Sequence, residues 1–302
     1  MNEYQRSGAN RSGNPPEMQD IIQELTLTQD RSFALTIDKG NDADQGYAKN
    51  AGKMLMLQIA ERAVPEFDSY VLNKLATKAG IIAGNNTALT AENICDRISQ
   101  ATAQLDDMEV PAYDRILYIS TQGYKLLKHS DEFMAVQELG RDALAKGVVG
   151  SYDNMEVIKV PAPRWPANVN FMIVHKNAAT APVKLSETKL HKDPPGISGH
   201  LLEGREYYDC FIFAPRAAGV YADVDTSSGK ATVCATPSIS SAGAITSATE
   251  GVTIYYTTDG SDPRYSATAV QGNSVSAPQG TVVKAYAHKA GAFDSAVAEK
   301  TF

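Results

Sequence analysis

The sequence predicts an α+β body followed by a small all-β sandwich, and three patterns lead to this fold class. In the first half of the chain, apolar residues recur every third or fourth position over long segments, which is typical of amphipathic helices. From Asn170 onward they form short runs and alternations, which are typical of strands. Beyond Asp225 the chain is poor in charge, and turn residues separate its short apolar runs, which indicates a small β-sandwich.

Length and composition are those of an ordinary globular protein. The 302 residues leave room for two domains, with 43% hydrophobic and 21% charged residues. The sequence has no long apolar stretch and no basic region followed by an apolar core near its start, so we expect neither a membrane span nor a secretion signal. A net charge of −7 argues against nucleic-acid binding through phosphates. It suits a container that must not stick to nucleic acid, or it serves solubility alone.

The cysteines point to neither disulfides nor zinc. Cys95, Cys210 and Cys234 are odd in number, far apart and outside any CxxC pair. Cys95 and Cys210 lie in apolar-periodic segments, where we expect them to act as small buried hydrophobes. This pattern fits folding in the cytoplasm.

The segment from Glu24 to Asp44 predicts a β-hairpin, after an irregular start over residues 1–23. Two alternating runs are separated by a polar break at residues 29–32. A hairpin joined to a helix cannot bury its own apolar face, so we expect this one to contact a neighbouring subunit. The expected contact residues are Leu25, Leu27, Arg31, Phe33, Leu35 and Ile37.

Two helices are expected next. The first runs from Asp42 to about Lys78, and Pro65 should kink or end it because proline lacks the backbone donor. Residues 80–87 are expected to form a loop. The second helix covers residues 90–107 with Thr90 as its cap. Its apolar face comprises Ile94, Ile98, Ala101, Leu105 and Met108.

The rest of the body alternates between helices and strands. We expect a strand ending at Ser120, which should cap a short helix through Lys128. A helix over residues 131–146 and a glycine-bearing turn at residues 147–154 follow. The remaining expected strands are residues 155–161, 170–179, 181–190, 204–215 and 217–223, with a loop at 191–200 and antiparallel pairing of the last two strands.

No catalytic constellation stands out, so we expect a structural protein rather than an enzyme, without a cofactor. Ser151 and Ser198 miss the spacing of a nucleophile elbow. His191 and His200 share one loop with two acidic residues, but no ligand pair has helical or hairpin spacing for a metal. Asp259 is more simply a turn residue than a calcium ligand.

With these residues in view, the body resembles the major capsid protein of tailed bacteriophages or prophages. The resemblance covers roughly residues 1–225 in order. Its pieces include EYQRSGANR, LTLTQDRSFALTID, VPEFDSYVLNKLA, DRILYIST, VGSYDNMEVIKVP and EGREYYDCFIFAPRAAGVYA. It implies the Hong Kong-ninety-seven-type shell fold. Residues 1–41 would be an N-terminal segment and extended hairpin loop, and residues 42–225 a body of spine helix, peripheral domain and axial domain.

The resemblance also implies partners and a location. The chain would associate with copies of itself into pentamers and hexamers of a shell, and with scaffolding and portal proteins. No specific nucleic-acid binding and no membrane are expected. The subunit would be made in the bacterial host cytoplasm and end in the virion. Some relatives cross-link a loop lysine to a distant asparagine, and Lys39 is the lysine of this segment.

One departure from the family concerns the start of the chain. Family members usually carry an N-terminal arm of several dozen residues before the segment that matches EYQRSG, which here begins almost at Met1. A late start site, removal during maturation and a truncated prophage remnant all remain open.

The tail, residues 236–302 after a polar linker at 226–235, resembles the small immunoglobulin-like module at the C-termini of some chitobiases. The matching pieces are IYYTTDGSDPRYS, TVVKAYAHKAG and DSAVAEKTF. On a capsid subunit it would be a surface decoration, and glycans are a hypothesis for its ligand. The candidate ligand surface is Tyr255, Tyr256 and Tyr265. The alternative function is a cell-surface or secreted carbohydrate-binding protein that acts through this module.

Overall fold

The structure, a computed structural model, describes residues 25–44, 51–130 and 148–302. The predicted irregular start and the predicted helix over residues 131–146 lie outside these ranges. The helices are α1 (Lys39–Asp44), α2 (Ala51–Gln58), α3 (Val64–Thr77), α4 (Ile94–Asp107) and α5 (Thr121–Lys128). The strands of the body are β1 (Gln29–Asp38), β2 (Ile81–Asn85), β3 (Arg115–Ser120), β4 (Val148–Tyr152), β5 (Met155–Val160), β6 (Val169–His175), β7 (Ala179–Thr180), β8 (Val183–Lys192), β9 (Gly199–Tyr208), β10 (Phe211–Ile212) and β11 (Val220–Asp225).

A six-stranded mixed sheet forms the centre of the body, with strand order β2-β11-β6-β3-β5-β4. One face packs against α4 and α5 in a core that includes Ile98, Leu117 and Phe171. The other face packs against α3 in a second core that includes Leu75 and Met172. Because both faces are covered, every residue of β11 is buried. The body is therefore α+β, as the sequence predicts.

A three-stranded antiparallel sheet, β1-β9-β8, lies beside the helix formed by α2 and α3. The predicted hairpin at 24–44 is wrong. Residues 29–32, its expected turn, lie inside β1, which pairs residue by residue with β9 over its full length. That tetrapeptide contains no glycine, proline or asparagine to reverse the chain. The hairpin of this sheet is β8–β9, whose connection carries Pro194, Pro195 and Gly196 with φ +85°.

The helix continues through Pro65 instead of ending there. A π-helical turn, Ile59–Ala63, joins α2 to α3 and places Pro65 in the first turn of α3. The wider turn changes the hydrogen-bond ladder just before the proline, so the proline ring and its missing N–H are tolerated. Residues 45–50 lie outside the described ranges, so the predicted single helix from Asp42 is described in two parts, the end of α1 up to Asp44 and the helix from Ala51 onward.

The predictions for the second helix and its neighbour are largely confirmed. Ile94, Ile98, Ala101 and Leu105 are all fully buried, but Met108 is 61% exposed because the helix has ended at Asp107. The helix begins at Ile94, so Thr90 is not its cap. Ser120 does cap α5, accepting a hydrogen bond from the Gly123 amide at 3.0 Å.

Three other predictions about strands and their pairing are wrong. Residues 80–87, expected as a loop, contain β2, which pairs in parallel with β11. Residues 147–154, expected as a turn, contain β4, and the turn is confined to Asp153 and Asn154, both with positive φ. Finally, β9 and β11, expected to pair, belong to different sheets.

The C-terminal module, residues 236–302, is a small β-sandwich, as predicted. Its strands are β12 (Ser238–Ile239), β13 (Ile245–Thr246), β14 (Thr253–Thr257), β15 (Val270–Gln271), β16 (Val282–His288) and β17 (Ala298–Thr301). A two-stranded sheet, β12-β13, faces a four-stranded sheet, β15-β14-β16-β17. The core between them is Ile245, Ile254, Val275, Val283 and Ala285. An isolated bridge joins Ser274 to Ala244.

Candidate assembly surface

The three-stranded sheet offers open edges. Its outer strands, β1 and β8, are ten residues long, and in the described part of the chain no further strand pairs with either of them. Ten residues of strand span about 33 Å. An unpaired edge of that length presents a row of backbone donors and acceptors that another chain can use.

One face of this sheet carries a row of leucines. Leu35 of β1 and Leu190 of β8 both lie opposite Leu202 of β9. The central Leu202 is buried, whereas the flanking Leu35 and Leu190 are each 40% exposed. Next to this row, the Phe33 ring lies over Gly204, where a Cβ atom would come within 2.2 Å of the ring. The row therefore extends an apolar surface toward both open edges.

The structure divides the predicted contact residues into two groups. Leu25, Arg31 and Leu35 are exposed. Leu27 and Phe33 are half-buried, and Ile37 is only 6% exposed. The apolar alternation that predicted a partner subunit is thus covered in part by the chain itself. Leu35 and Leu25 remain available on the surface, and the inter-subunit role of all six residues stays a prediction.

The helix beside the sheet adds further exposed apolar side chains. Met54, Leu57 and Val64 are spaced three and seven residues apart and are 37%, 40% and 43% exposed. Met56 is 70% exposed. The sequence pattern alone could not identify these exposed residues, because an amphipathic pattern does not show which part of its apolar stripe a neighbouring sheet covers.

The opposite face of the sheet is polar and carries cross-strand ion pairs. The Arg205 guanidinium donates to both carboxylate oxygens of Asp30 at 2.9 and 2.6 Å, and this hydrogen bonding lowers the pKa of Asp30. His191 Nε2 lies 3.0 Å from the Glu203 carboxylate. These pairs are largely exposed, so they fix the alignment of the strands more than they stabilise the fold.

Lys39, the candidate for a covalent cross-link, lies where β1 ends. Its ammonium group forms an ion pair with Asp193 in the β8–β9 connection, and the hydrogen bond from Lys39 lowers the pKa of that carboxyl. Its backbone N–H donates to the Ser198 carbonyl at 3.0 Å. The cross-link stays a prediction.

A buried carboxylate that the sequence did not reveal holds the sheet to the helix. Asp209 accepts hydrogen bonds from the Tyr70 hydroxyl at 2.6 Å and from the Thr28 amide and hydroxyl at 3.0 and 2.8 Å. The Cys210 amide adds another at 2.7 Å, and Lys74 Nζ lies 3.7 Å away. Burial raises the pKa of Asp209, but these hydrogen bonds and the nearby cation outweigh it and lower the pKa overall. Asp209 thereby joins the residues before β1, helix α3 and the end of β9.

The residues weighed for catalysis or metal binding are placed apart. Ser151 is exposed on β4, and the Ser198 carbonyl accepts the Lys39 amide. Within residues 25–44, 51–130 and 148–302, no group of three His, Cys, Asp or Glu side chains is arranged to hold a metal ion.

All three cysteines are free and buried. The helices of these ranges include none that is long and apolar enough to cross a membrane.

The three tyrosines proposed as a ligand surface have different surroundings. Tyr256 packs into the module core. On the other face of the same sheet, the Tyr255 ring stacks on Tyr286 with centroids 5.6 Å apart. The Tyr265 hydroxyl donates to the Lys78 carbonyl of the body at 2.6 Å. They do not form a common platform, although their ligand role stays a prediction.

The comparisons with known proteins agree with this architecture. A structure from Mycobacterium phage Che8 is similar with a TM-score of 0.51 and 15% identity, covering 70% of this chain and 78% of that one. The capsid structure of the cyanophage P-SCSP1u gives a TM-score of 0.51 and 15% identity over 71% of this chain and 81% of that one. A comparison with curated protein sequences finds no significant match.

The C-terminal module has its own match. Residues 244–302 fit the family model described as "Fn3 associated". This range holds most of the sandwich and begins eight residues after the boundary expected from the sequence. The chain thus combines the Hong Kong-ninety-seven-type fold of phage capsid proteins with a C-terminal module that matches the Fn3-associated family model.

Proposed function

We propose that this chain is a structural subunit of a phage or prophage capsid shell, and that it associates with copies of itself into pentamers and hexamers. The observation that carries the proposal is the similarity of its fold to the capsid structure of cyanophage P-SCSP1u over 71% of the chain. Its place would then be the virion, after synthesis in the cytoplasm of a bacterial host. Scaffolding and portal proteins are the further partners we propose.

The assembly surface gives this proposal a physical basis. Open β-edges and exposed leucines are costly in a protein that stays alone, because they invite association with other chains. The two open strands differ in sequence, so contact between β1 of one copy and β8 of another would be head-to-tail. Head-to-tail contacts close into rings when the rotation between copies allows it. Pentamers and hexamers are rings of this kind.

The purified full-length chain tests the proposal directly. Sedimentation velocity and negative-stain electron microscopy should reveal rings or closed shells at micromolar concentration. A homogeneous monomer at every concentration, also when a scaffolding protein from the same genome is co-expressed, would refute the capsid function.

The C-terminal module would be displayed on the outer surface of the shell. Antibodies against the module should bind intact particles in immunogold micrographs. Labelling only after the particles are disrupted would place the module inside instead.

The alternative, carbohydrate binding through the module, has less support. Sugar sites use exposed aromatic platforms, whereas the three candidate tyrosines face different surroundings. A glycan array probed with the full-length protein distinguishes the two functions. Binding by a stable monomer would favour the alternative, and glycan binding by assembled particles would make it an added property of the shell.

A further inference from the structure

The C-terminal module contacts the body at the junction where α3 ends and β2 begins. The Arg264 guanidinium donates to the Gly80 carbonyl at 2.8 Å and to the Ala79 carbonyl at 3.3 Å. The Tyr265 hydroxyl donates to the Lys78 carbonyl at 2.6 Å. Two consecutive module residues therefore bind three consecutive backbone carbonyls of the body.

These carbonyls are a favourable target for a cation. They directly follow α3, whose last residue is Thr77. The C-terminal end of a helix carries partial negative charge, which favours a cation placed beside it. Arginine suits such a place because its planar guanidinium can bond several acceptors at once.

The contact is buried and its polar groups are satisfied. The Arg264 side chain is only 9% exposed, and it also donates to Asp262 of the module at 2.7 Å. Tyr265 and Phe293 pack against the core formed by α3 and the six-stranded sheet. Hydrogen bonds to a buried charged group are among the stronger ones in proteins. The module is therefore packed against the body and is not held to it by the connecting segment alone.

A second attachment lies beside the first. Lys78 Nζ of the body bonds to the carboxylate of Asp294 at 3.0 Å, and the Asp294 side chain is only 4% exposed. The connecting segment is held as well. The Cys234 amide donates to the Phe293 carbonyl at 3.0 Å, and the Phe293 amide donates to the Thr232 carbonyl at 2.8 Å. Residues 226–235, expected as a linker, are thus fixed at the end nearer the module.

On the body side of the junction, the backbone segments are closely packed against each other. A Cβ atom on Gly80 would lie 2.0 Å from the Ala217 carbonyl oxygen, so the backbone around residue 217 touches Gly80 directly. The junction is enclosed by that segment and by the module.

We propose that the module acts as a clamp that fixes the orientation of α3 relative to the six-stranded sheet. Each subunit would consequently present the module in a single orientation.

Hydrogen–deuterium exchange on the full-length chain tests the clamp. The variant carries Arg264→Leu together with Tyr265→Phe, which removes the donors to all three carbonyls. We expect the amides of residues 79–85 to exchange about tenfold faster, since losing these hydrogen bonds makes local opening easier. The matched control is Lys300→Met, which removes a cation that donates to Ile239 and Ser241 within the module. It should leave exchange at residues 79–85 unchanged.

Unchanged exchange at residues 79–85 in the double variant would overturn the proposal. If the double variant does not fold, Tyr265→Phe alone decides, because it removes a single oxygen atom from the contact. Faster exchange at residues 79–85 would then support the clamp, and wild-type exchange would refute it. Both measurements are made on the subunit, so a failure of the clamp is distinct from a failure of shell assembly.

Discussion

At the residue scale, two buried carboxylates link parts of the chain that are far apart in sequence. Asp209 joins the residues before β1 to α3. Asp223 of β11 forms a buried ion pair with Arg97 of α4 and accepts hydrogen bonds from Asn85 at 2.6 Å and Asn170 at 2.7 Å. A buried charge is tolerable only when it is paired and hydrogen-bonded, so each of these clusters ties several elements together.

Replacing Asp209 by Asn should lower the free energy of unfolding by about 2–3 kcal/mol at pH 7, because a charged acceptor of several hydrogen bonds is lost. The pKa of Asp209 is lowered in the fold. Its stabilisation is therefore present above the unfolded pKa of about 4 and is lost as the pH falls through the lower folded pKa. Urea unfolding at pH 7 and pH 3 measures both effects. The variant should lose less stability than the wild type between these pH values, and an equal loss would contradict the assignment.

Replacing Arg97 by Leu should cost about 3–5 kcal/mol, because it leaves the buried Asp223 without its counter-charge. Urea denaturation followed by circular dichroism measures the loss. The matched control is Lys176→Met, which breaks a half-exposed pair with Asp114 and should cost at most about 1 kcal/mol. Equal losses of stability in the two variants would show that the buried ion pair contributes no more than the half-exposed one.

At the element scale, the placement of β1 depends on side-chain fit across strands. Phe33 lies over Gly204 of β9, and Arg31 reaches Glu66 of α3 at 3.3 Å. Tyr208 of β9 packs edge-on against Phe67 of α3, with ring centroids 4.9 Å apart. A shift of β1 by one residue would turn Phe33, Leu35 and Ile37 to the polar face. These contacts therefore define the register of the sheet.

Replacing Gly204 by Ala should destabilise the protein by about 1–2 kcal/mol, because the new methyl group would displace the Phe33 ring. Phe33→Ala should remove that conflict. The double variant should consequently be no less stable than Phe33→Ala alone, a non-additivity that thermal unfolding of all four proteins can detect. Additive losses would mean that the two residues do not interact.

At the scale of the whole molecule, exposed apolar side chains concentrate on one part of the body. Leu35, Leu190, Met54, Leu57 and Val64 all lie on the three-stranded sheet or the helix beside it. In the module, by comparison, Val270 is the large apolar residue with the greatest exposure, at 53%. This distribution favours contact between copies through the sheet and helix rather than through the module.

Replacing Leu35 by Asp should stop assembly without unfolding the subunit, because this exposed side chain would bring an unpaired charge into a contact between copies. Phe33 is less suitable for this test, since it is half-buried within the chain. Circular dichroism monitors the fold, and electron micrographs monitor the particles. Val270→Asp, an equally drastic change on the module, should leave assembly intact. Normal particles from Leu35→Asp would refute the role of this surface.

Local sequence patterns predicted several elements of this fold. The spacing of Ile94, Ile98, Ala101 and Leu105 determined the buried face of α4, and Ser120 marked the start of α5, because helices depend on neighbours within a few residues. The composition change beyond Asp225 likewise predicted the separate β-module. For the candidate surface, the sequence identified Leu25 and Leu35, which are exposed, together with Ile37, which is not.

Only the tertiary structure decided which strands pair and which side chains are covered. β1 finds its partner β9 about 170 residues later, and Arg264 of the module binds carbonyls at residues 79 and 80. In strand pairing and domain docking, backbone N–H and C=O groups form hydrogen bonds with segments that are distant in the sequence. The local periodicity of a strand therefore does not identify its partner. The sequence by itself thus determined the buried face of α4, the start of α5 and the presence of the module. The sheet topology, the Asp209 anchor and the clamp at the end of α3 arise from contacts that exist only once the chain is folded.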